Sequence, residues 1–292
     1  RGGKGVAGMA PKDEDYVEHL FVASTHDYIL FFTATGRVYW EKVYEIPEAS
    51  RTARGKAIVN LLNIRSEERI AAMIRVREFS EDKHLLMATE KGVVKKTNLS
   101  EYGNPRKDGV IGIEVDEGDV LLGVKLTSGK DQVIIATRQG MSIRFEESAL
   151  RDQGRATRGV KGITLRDNDR VQSLEIVDPA ATFLACTENG YGKRTSFDEY
   201  RLQKRGGSGI MTIRCSERNG PVVGAHSVYE KDALMLITAK GQMIRMPVSD
   251  IRVISRATQG VRLITLEQGD KLVAATSVEP EDTTILETPP SA

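Results

Sequence analysis

Three short elements recur in fixed order with a period near fifty residues, and no other feature restricts the possible folds as strongly. The first is an apolar run closed by Thr-x-x-Gly: Phe32-Thr33-Ala34-Thr35-Gly36, Ala88-Thr89-Glu90-Lys91-Gly92, Ala136-Thr137-Arg138-Gln139-Gly140, Cys186-Thr187-Glu188-Asn189-Gly190 and Ile237-Thr238-Ala239-Lys240-Gly241. Its glycines stand 56, 48, 50 and 51 residues apart. Apolar residues, two polar residues, a glycine able to take positive φ, then more strand-forming residues predict a tight β-hairpin. The second element is a basic-Gly pair leading into an apolar residue, fullest in Arg158-Gly159-Val160-Lys161-Gly162-Ile163. Its counterparts begin at Arg54-Gly55, Asp108-Gly109, Arg205-Gly206 and Gln259-Gly260, with a sixth copy in Arg1-Gly2-Gly3-Lys4-Gly5-Val6. The third is an acidic or turn residue followed by alternating apolar positions, as in residues 119–124, 169–174 and 270–275, the alternation of a half-buried strand.

A fifty-residue unit of about four strands cannot cover both faces of its own sheet, whereas stacking units around an axis buries the faces and protects the edges. The chain is therefore predicted to be all-β: one propeller-like disc over residues 1–278, with residues 279–292 as a disordered acidic tail. Elements two and three occur six times and element one five times, so six blades are expected, the first incomplete at the N-terminus. The start in mid-repeat, with no initiator Met, reads as a fragment of a longer protein.

The net charge of +1, from 42 basic and 41 acidic residues, argues by itself against a polyanion partner. The charge is unevenly placed, however. The tail carries Glu279, Glu281, Asp282 and Glu287 and no basic residue, which leaves a mildly basic body. Positive charge also recurs at fixed points of the repeat. Lys96, Arg144, Arg194 and Arg245 each stand four residues after a hairpin glycine, where the first repeat has Trp40. Lys95 and Lys193 lie beside two of them, and the second element adds Arg1, Lys4, Arg54, Lys56, Arg158, Lys161, Lys204, Arg205 and Arg262. A charge placed once per repeat is placed once per blade, so these residues are expected to form a belt around the disc. Lys and Arg with few aromatics suit contact with phosphates and not stacking on bases. Duplex DNA curved around such a rim would be held through its backbone, with preference set by bendability.

Other chemistry finds little support. No phosphate-cradling loop ends in Gly-Lys-Ser/Thr, and Gly206-Gly207-Ser208-Gly209 reads as a repeat turn. The four histidines, His19, His26, His84 and His226, have no zinc-ligand spacing, so no metal site and no catalytic residue is expected. Two cysteines, Cys186 and Cys215, make no disulfide framework and fit a reducing cytoplasm. No apolar run is long enough to cross a membrane as a helix.

Arg1-Gly2-Gly3-Lys4-Gly5 matches the last five residues of the box that marks the A subunit of bacterial DNA gyrase. Asn189-Gly190-Tyr191-Gly192-Lys193-Arg194-Thr195, Arg37-Val38-Tyr39 and Thr258-Gln259-Gly260-Val261 also resemble the C-terminal domain of that family, and the likeness runs from Arg1 to about Val278. The resemblance implies a six-bladed β-pinwheel, whose blades exchange strands, that wraps DNA on its rim and so enables negative supercoiling. It implies that Arg1–Gly5 is needed for wrapping and that this chain is not itself an enzyme and carries no cofactor. ATP and Mg would act elsewhere in a holoenzyme of two A and two B gyrase subunits. The acidic tail resembles one that modulates wrapping in some members. The alternatives are the equivalent DNA-binding domain of topoisomerase IV or a propeller that binds protein partners. The latter needs an exposed aromatic patch from a chain with 16 aromatics. A propeller hydrolase would need carboxylates or histidines clustered on the axis.

Overall fold

The computed structural model describes residues 23–49 and 54–278. Along the chain run hairpin β1 (Tyr28–Thr33) and β2 (Arg37–Lys42), then β3 (Ile70–Val76). The second unit supplies hairpin β4 (His84–Thr89) and β5 (Val93–Asn98), the two-residue piece β6 (Val110–Ile111) and β7 (Leu121–Thr127). The third supplies β8 (Gln132–Thr137), β9 (Met141–Glu146), β10 (Val160–Lys161) and β11 (Val171–Ile176). The fourth supplies β12 (Thr182–Thr187), β13 (Tyr191–Ser196), β14 (Ile210–Met211) and β15 (Val222–Val228). The fifth supplies β16 (Ala233–Thr238), β17 (Met243–Pro247), β18 (Val261–Arg262) and β19 (Leu272–Val278).

The Thr-x-x-Gly hairpin has a local explanation. The glycine takes positive φ, +88° at Gly140, and its N–H donates to the threonine carbonyl at 3.1 Å. The threonine hydroxyl then accepts the N–H that follows the glycine, as Thr137 does from Met141 at 3.1 Å and Thr89 from Val93 at 3.2 Å. A β-branched residue that also caps the turn suits the end of a buried strand.

The third element returns to pair antiparallel with the first strand of its own hairpin, β11 with β8 for example. The second element does something else: it leaves its unit and completes the sheet before it. Val110 pairs with Val38, Val160 with Val94, Ile210 with Ser142 and Val261 with Gly192. The sheet orders are β3-β1-β2-β6, β7-β4-β5-β10, β11-β8-β9-β14, β15-β12-β13-β18 and, with three strands, β19-β16-β17.

The described residues thus hold five sheets where six blades are expected. A sheet grows around its hairpin, and the chain has five Thr-x-x-Gly hairpins; counting the second and third elements overcounts them. The copies at residues 1–6 and 15–20 lie outside the described residues. The copy at residues 54–58 joins no sheet, because among the described residues no hairpin precedes β1 to receive it. One register also changes. The glycine equivalent to Gly109, Gly159 and Gly260 is Gly209, not Gly206, which makes the spacings a regular 50, 50 and 51.

Cores form between successive sheets. Leu86, Ala88 and Val94 of the second sheet pack on Val133, Ile135, Ile143 and Phe145 of the third. The opposite face of the third, through Ile134 and Ala136, packs on Phe183 and Ala185 of the fourth. Each first hairpin strand is buried on both faces, which explains continuous apolar runs such as Val133-Ile134-Ile135-Ala136. A methyl group on Gly140 would sit 2.2 Å from the Ile213 carbonyl. Gly140→Ala should therefore lower stability by about 3 kcal/mol in urea unfolding, whereas Gly154→Ala, with open space around it, should change it by less than about 1 kcal/mol.

Candidate nucleic-acid interface

The strand order fixes which side of each sheet faces the centre. Strands β3, β7, β11, β15 and β19 pack on one another in succession and ring the axis. The pieces β6, β10, β14 and β18 lie at the opposite edge of their sheets, on the outer rim. Three rim segments first run parallel beside the second hairpin strand of the preceding unit, through the bridges Lys96–Asp152, Arg144–Leu202 and Arg194–Val253. Each then turns and pairs antiparallel as the edge piece.

The structure divides the basic residues singled out by their repeat position into two groups. Lys96 and Arg194 are buried, 7% and 4% exposed, and Arg144 is half-buried. Each donates to a carbonyl at the short 3-10 turn of the next unit. Lys96 reaches Glu147 at 3.4 Å, Arg144 reaches Phe197 at 2.8 Å and Tyr200 at 3.2 Å, and Arg194 reaches Ile251 at 2.8 Å. Trp40, the exception in charge, donates its indole N–H to the Tyr102 carbonyl at 2.9 Å. The position thus requires a long donor that ties one blade to the next, and a belt of phosphate-binding charges is not what it supplies. Arg245 occupies the same position in the fifth sheet but is exposed, on a strand whose residues alternate between exposed and half-buried.

Lys95 and Lys193 are also interior, each 1% exposed. The Lys95 ammonium donates to the carbonyls of Gly112 at 2.8 Å, Gly154 at 3.1 Å and Arg155 at 2.5 Å. Lys193 donates to the carbonyl of Ser255 at 2.6 Å, that of Arg256, and the Thr258 hydroxyl at 3.1 Å. These lysines anchor the rim loops from within, and burial pushes the pKa of each down to about 8.

The remaining predicted residues are more accessible. Arg158, Lys161, Lys204 and Arg262 are exposed on the rim, with Arg158 paired to Asp116 at 2.6 Å. Arg205 is half-buried, and Arg54 and Lys56 are exposed but outside any strand. Arg1, Gly2, Gly3, Lys4 and Gly5 lie outside the described residues.

The basic-Gly pair catches one repeated arginine position only at Arg205 and misses a second altogether. Arg155, Arg205 and Arg256 each lie four residues before an edge-piece glycine. They donate to Ile111 at 3.1 Å, Lys161 at 2.8 Å and Met211 at 2.8 Å, carbonyls of the neighbouring edge piece, and so tie the rim around its circumference. Arg151, Arg201 and Arg252 follow the 3-10 turns, are exposed, and have no ion pair or side-chain hydrogen bond among the described residues. Aligning Leu150, Tyr200 and Ile251, the buried residues after each turn, finds them. The rim segments 151–161, 201–211 and 252–262 together carry ten basic residues and one acidic residue, Asp152.

A further cluster lies on the inner ring, where Lys125, Glu175 and His226 meet. Glu175 is 3.4 Å from the lysine and 3.1 Å from the imidazole, whose other nitrogen faces the Ala275 carbonyl at 2.5 Å. A carboxylate and a histidine do therefore meet near the axis, but they bind one another across successive blades. Among the described residues no group of three metal-ligating side chains is present, and no helix is long and apolar enough to cross a membrane.

Sheets completed by their neighbours around a ring, with basic residues gathered on the outer edge, define a β-propeller of the strand-exchanging kind. The family model for the DNA gyrase C-terminal domain, beta-propeller, matches residues 1–24, 27–77, 83–128, 131–178, 181–228 and 232–279, and the chain belongs to that family. It is 47% identical over 97% of its length to the A subunit of DNA gyrase from Salmonella typhimurium, and 46% over 97% to that of Mycolicibacterium smegmatis. It spans about a third of the length of these curated relatives, 32% and 34%. A crystal structure of the C-terminal domain of DNA topoisomerase IV superposes with a TM-score of 0.80 at 27% identity, covering 87% of this chain and 80% of that one. A DNA gyrase A C-terminal domain superposes at 0.76 and 24% identity, covering 92% and 91%, and shares the fold.

The buried lysines yield a pH prediction. Between about pH 8 and 10.5 the unfolded chain still binds protons that folded Lys95 and Lys193 have shed, so their contribution to stability rises with pH across that window. Unfolding midpoints measured from pH 7.5 to 10.5 should therefore rise less, or fall more, in Lys95→Met/Lys193→Met than in the parent.

Proposed function

We propose that this domain binds duplex DNA along its outer rim and curves it, as the wrapping module of a DNA gyrase. The observation that carries this reading is the rim itself: ten basic residues against one acidic residue over three successive segments, in a protein of net charge +1. Charges repeated at the period of the blades follow a curved backbone and not a flat one. Arg151, Arg201, Arg252, Lys161, Lys204 and Arg262 have no carboxylate partner among the described residues and make the phosphate contacts; Arg158 joins them by leaving Asp116. Rim arginines in contact with phosphates position a duplex without reading its sequence.

In the whole protein this domain presents the wrapped segment to a catalytic core formed by the B subunit together with the rest of the A subunit. Two copies of each would form the holoenzyme, in the cytoplasm. Strand passage, ATP hydrolysis and Mg would belong to that core. The segment Arg1–Gly5 joins the interface through Arg1 and Lys4, and the acidic tail from Glu279 competes with the duplex for the rim.

With about seven phosphate contacts, log K against log salt should fall with a slope of roughly −6. Arg151→Glu/Arg201→Glu/Arg252→Glu should flatten that slope by about 3 and weaken binding to all sequences on the order of a hundredfold at ~0.1 M salt. Binding indifferent to salt, or loss confined to certain sequences, would rule the reading out. Relaxed circles closed with the domain bound should change linking number; unchanged linking number would reduce wrapping to simple binding.

A further inference from the structure

One cluster on the fourth sheet uses cations for none of the ties described above. Tyr191 opens β13 and pairs directly with Arg262 of the edge piece β18. Arg262 stacks over the phenol ring at 5.6 Å and donates to its hydroxyl at 3.0 Å. Arg218, from the loop between β14 and β15, does the same from another element, 5.2 Å from the ring centroid and 3.4 Å from the hydroxyl. Neither guanidinium has a carboxylate within ion-pair distance among the described residues. Two like charges converging on one neutral oxygen repel each other, and the ring faces offset only part of that repulsion.

The hydroxyl oxygen accepts two N–H groups, so its own proton is donated outward, away from both guanidiniums. The first sheet contains the same chemistry with the acceptor present. There Arg37 donates to the Tyr39 hydroxyl at 3.4 Å, and that hydroxyl donates to the Glu68 carboxylate at 3.2 Å. The fourth sheet keeps a phenol, has two guanidiniums in place of one, and has no anion among the described residues.

We propose that Arg218, Tyr191 and Arg262 form a seat for one phosphate oxygen of the DNA backbone, at the corner where the rim meets the hairpin-turn face of the fourth sheet. The inference rests on the duplex-binding reading and assigns it a residue outside the rim segments, Arg218. Guanidinium pairs suit a phosphate oxyanion geometrically, and a phenol O–H adds a third donor. The two guanidinium hydrogen bonds, that of Arg218 first, hold the Tyr191 hydroxyl below its ordinary pKa. A phosphate that accepts the phenol proton favours the neutral phenol and shifts the titration the other way.

The experiment uses the domain with 13Cζ-labelled tyrosine and a duplex long enough to follow the rim. Tyr191→Phe, which keeps the ring stack, should weaken duplex binding about tenfold. Arg218→Gln should weaken it and flatten the salt slope by roughly 1. The Tyr191 resonance, assigned by its loss in Tyr191→Phe, should titrate at higher pH with duplex bound, while inorganic phosphate at equal phosphate concentration leaves it unmoved. If both variants bind as the parent does while the triple rim reversal does not, the seat is wrong and the rim reading stands. If the parent itself shows no salt-dependent binding, the rim reading fails with it. A titration shifted by inorganic phosphate and not by duplex would also overturn the assignment to DNA. Thermal unfolding of each variant separates lost contact from lost fold.

Discussion

The backbone pairing by which each unit completes the sheet before it governs the architecture. A β-sheet edge exposes unpaired N–H and C=O groups, and here those groups are satisfied by two residues borrowed from the next unit. That loan forces neighbouring sheets side by side, so their apolar faces meet and a core forms between each pair. It also carries the connecting segment out to the rim and back, which exposes a loop of about ten residues once per blade. The rim is therefore a product of the exchange, and any property repeated within that loop is repeated around the disc.

Cations serve this architecture in three ways, and their surroundings separate the roles. Donors on the second hairpin strand, from Trp40 to Arg194, hydrogen-bond to carbonyls at the 3-10 turns of the next unit and so lower the cost of burying them. Lys95 and Lys193 satisfy the inward-facing carbonyls of the rim loops. With these tasks met inside, the rim is left with arginines and lysines that, Arg158 with its Asp116 partner aside, no carboxylate among the described residues neutralises. A net charge near zero conceals this, because the acidic residues serve largely in turns and ties elsewhere, as Glu68 does with Thr35 and Tyr39 and Asp169 with Gln139.

Much of this was legible in the residues. The hairpin position, the class of fold and the period follow from Thr-x-x-Gly, whose geometry is local to four or five residues. The blade count did not follow, because the second and third elements can be counted without knowing which hairpin they join. The division of the basic residues was not legible either. Lys96 and Lys161 are equally lysine in the sequence; one is interior because the next blade's turn closes over it, and the other is exposed because it lies on the last strand of its sheet. Trp40 was the available signal, since tryptophan shares N–H donation with arginine and lysine but not their charge.

The sequence by itself determined an all-β repeat, its hairpins, its apolar runs and a basic bias at recurring points, because each depends on backbone conformation or on burial patterns within one unit. Only the tertiary structure decided which sheet each second element completes, which cations face inward, and that Arg218 from one loop meets Tyr191 and Arg262 from another. Those outcomes depend on contacts between residues distant in the chain, 27 positions for Arg218 and Tyr191 and 71 for Arg262 and Tyr191, and the spacing of residues along a chain carries no record of which side of a neighbouring sheet they will meet.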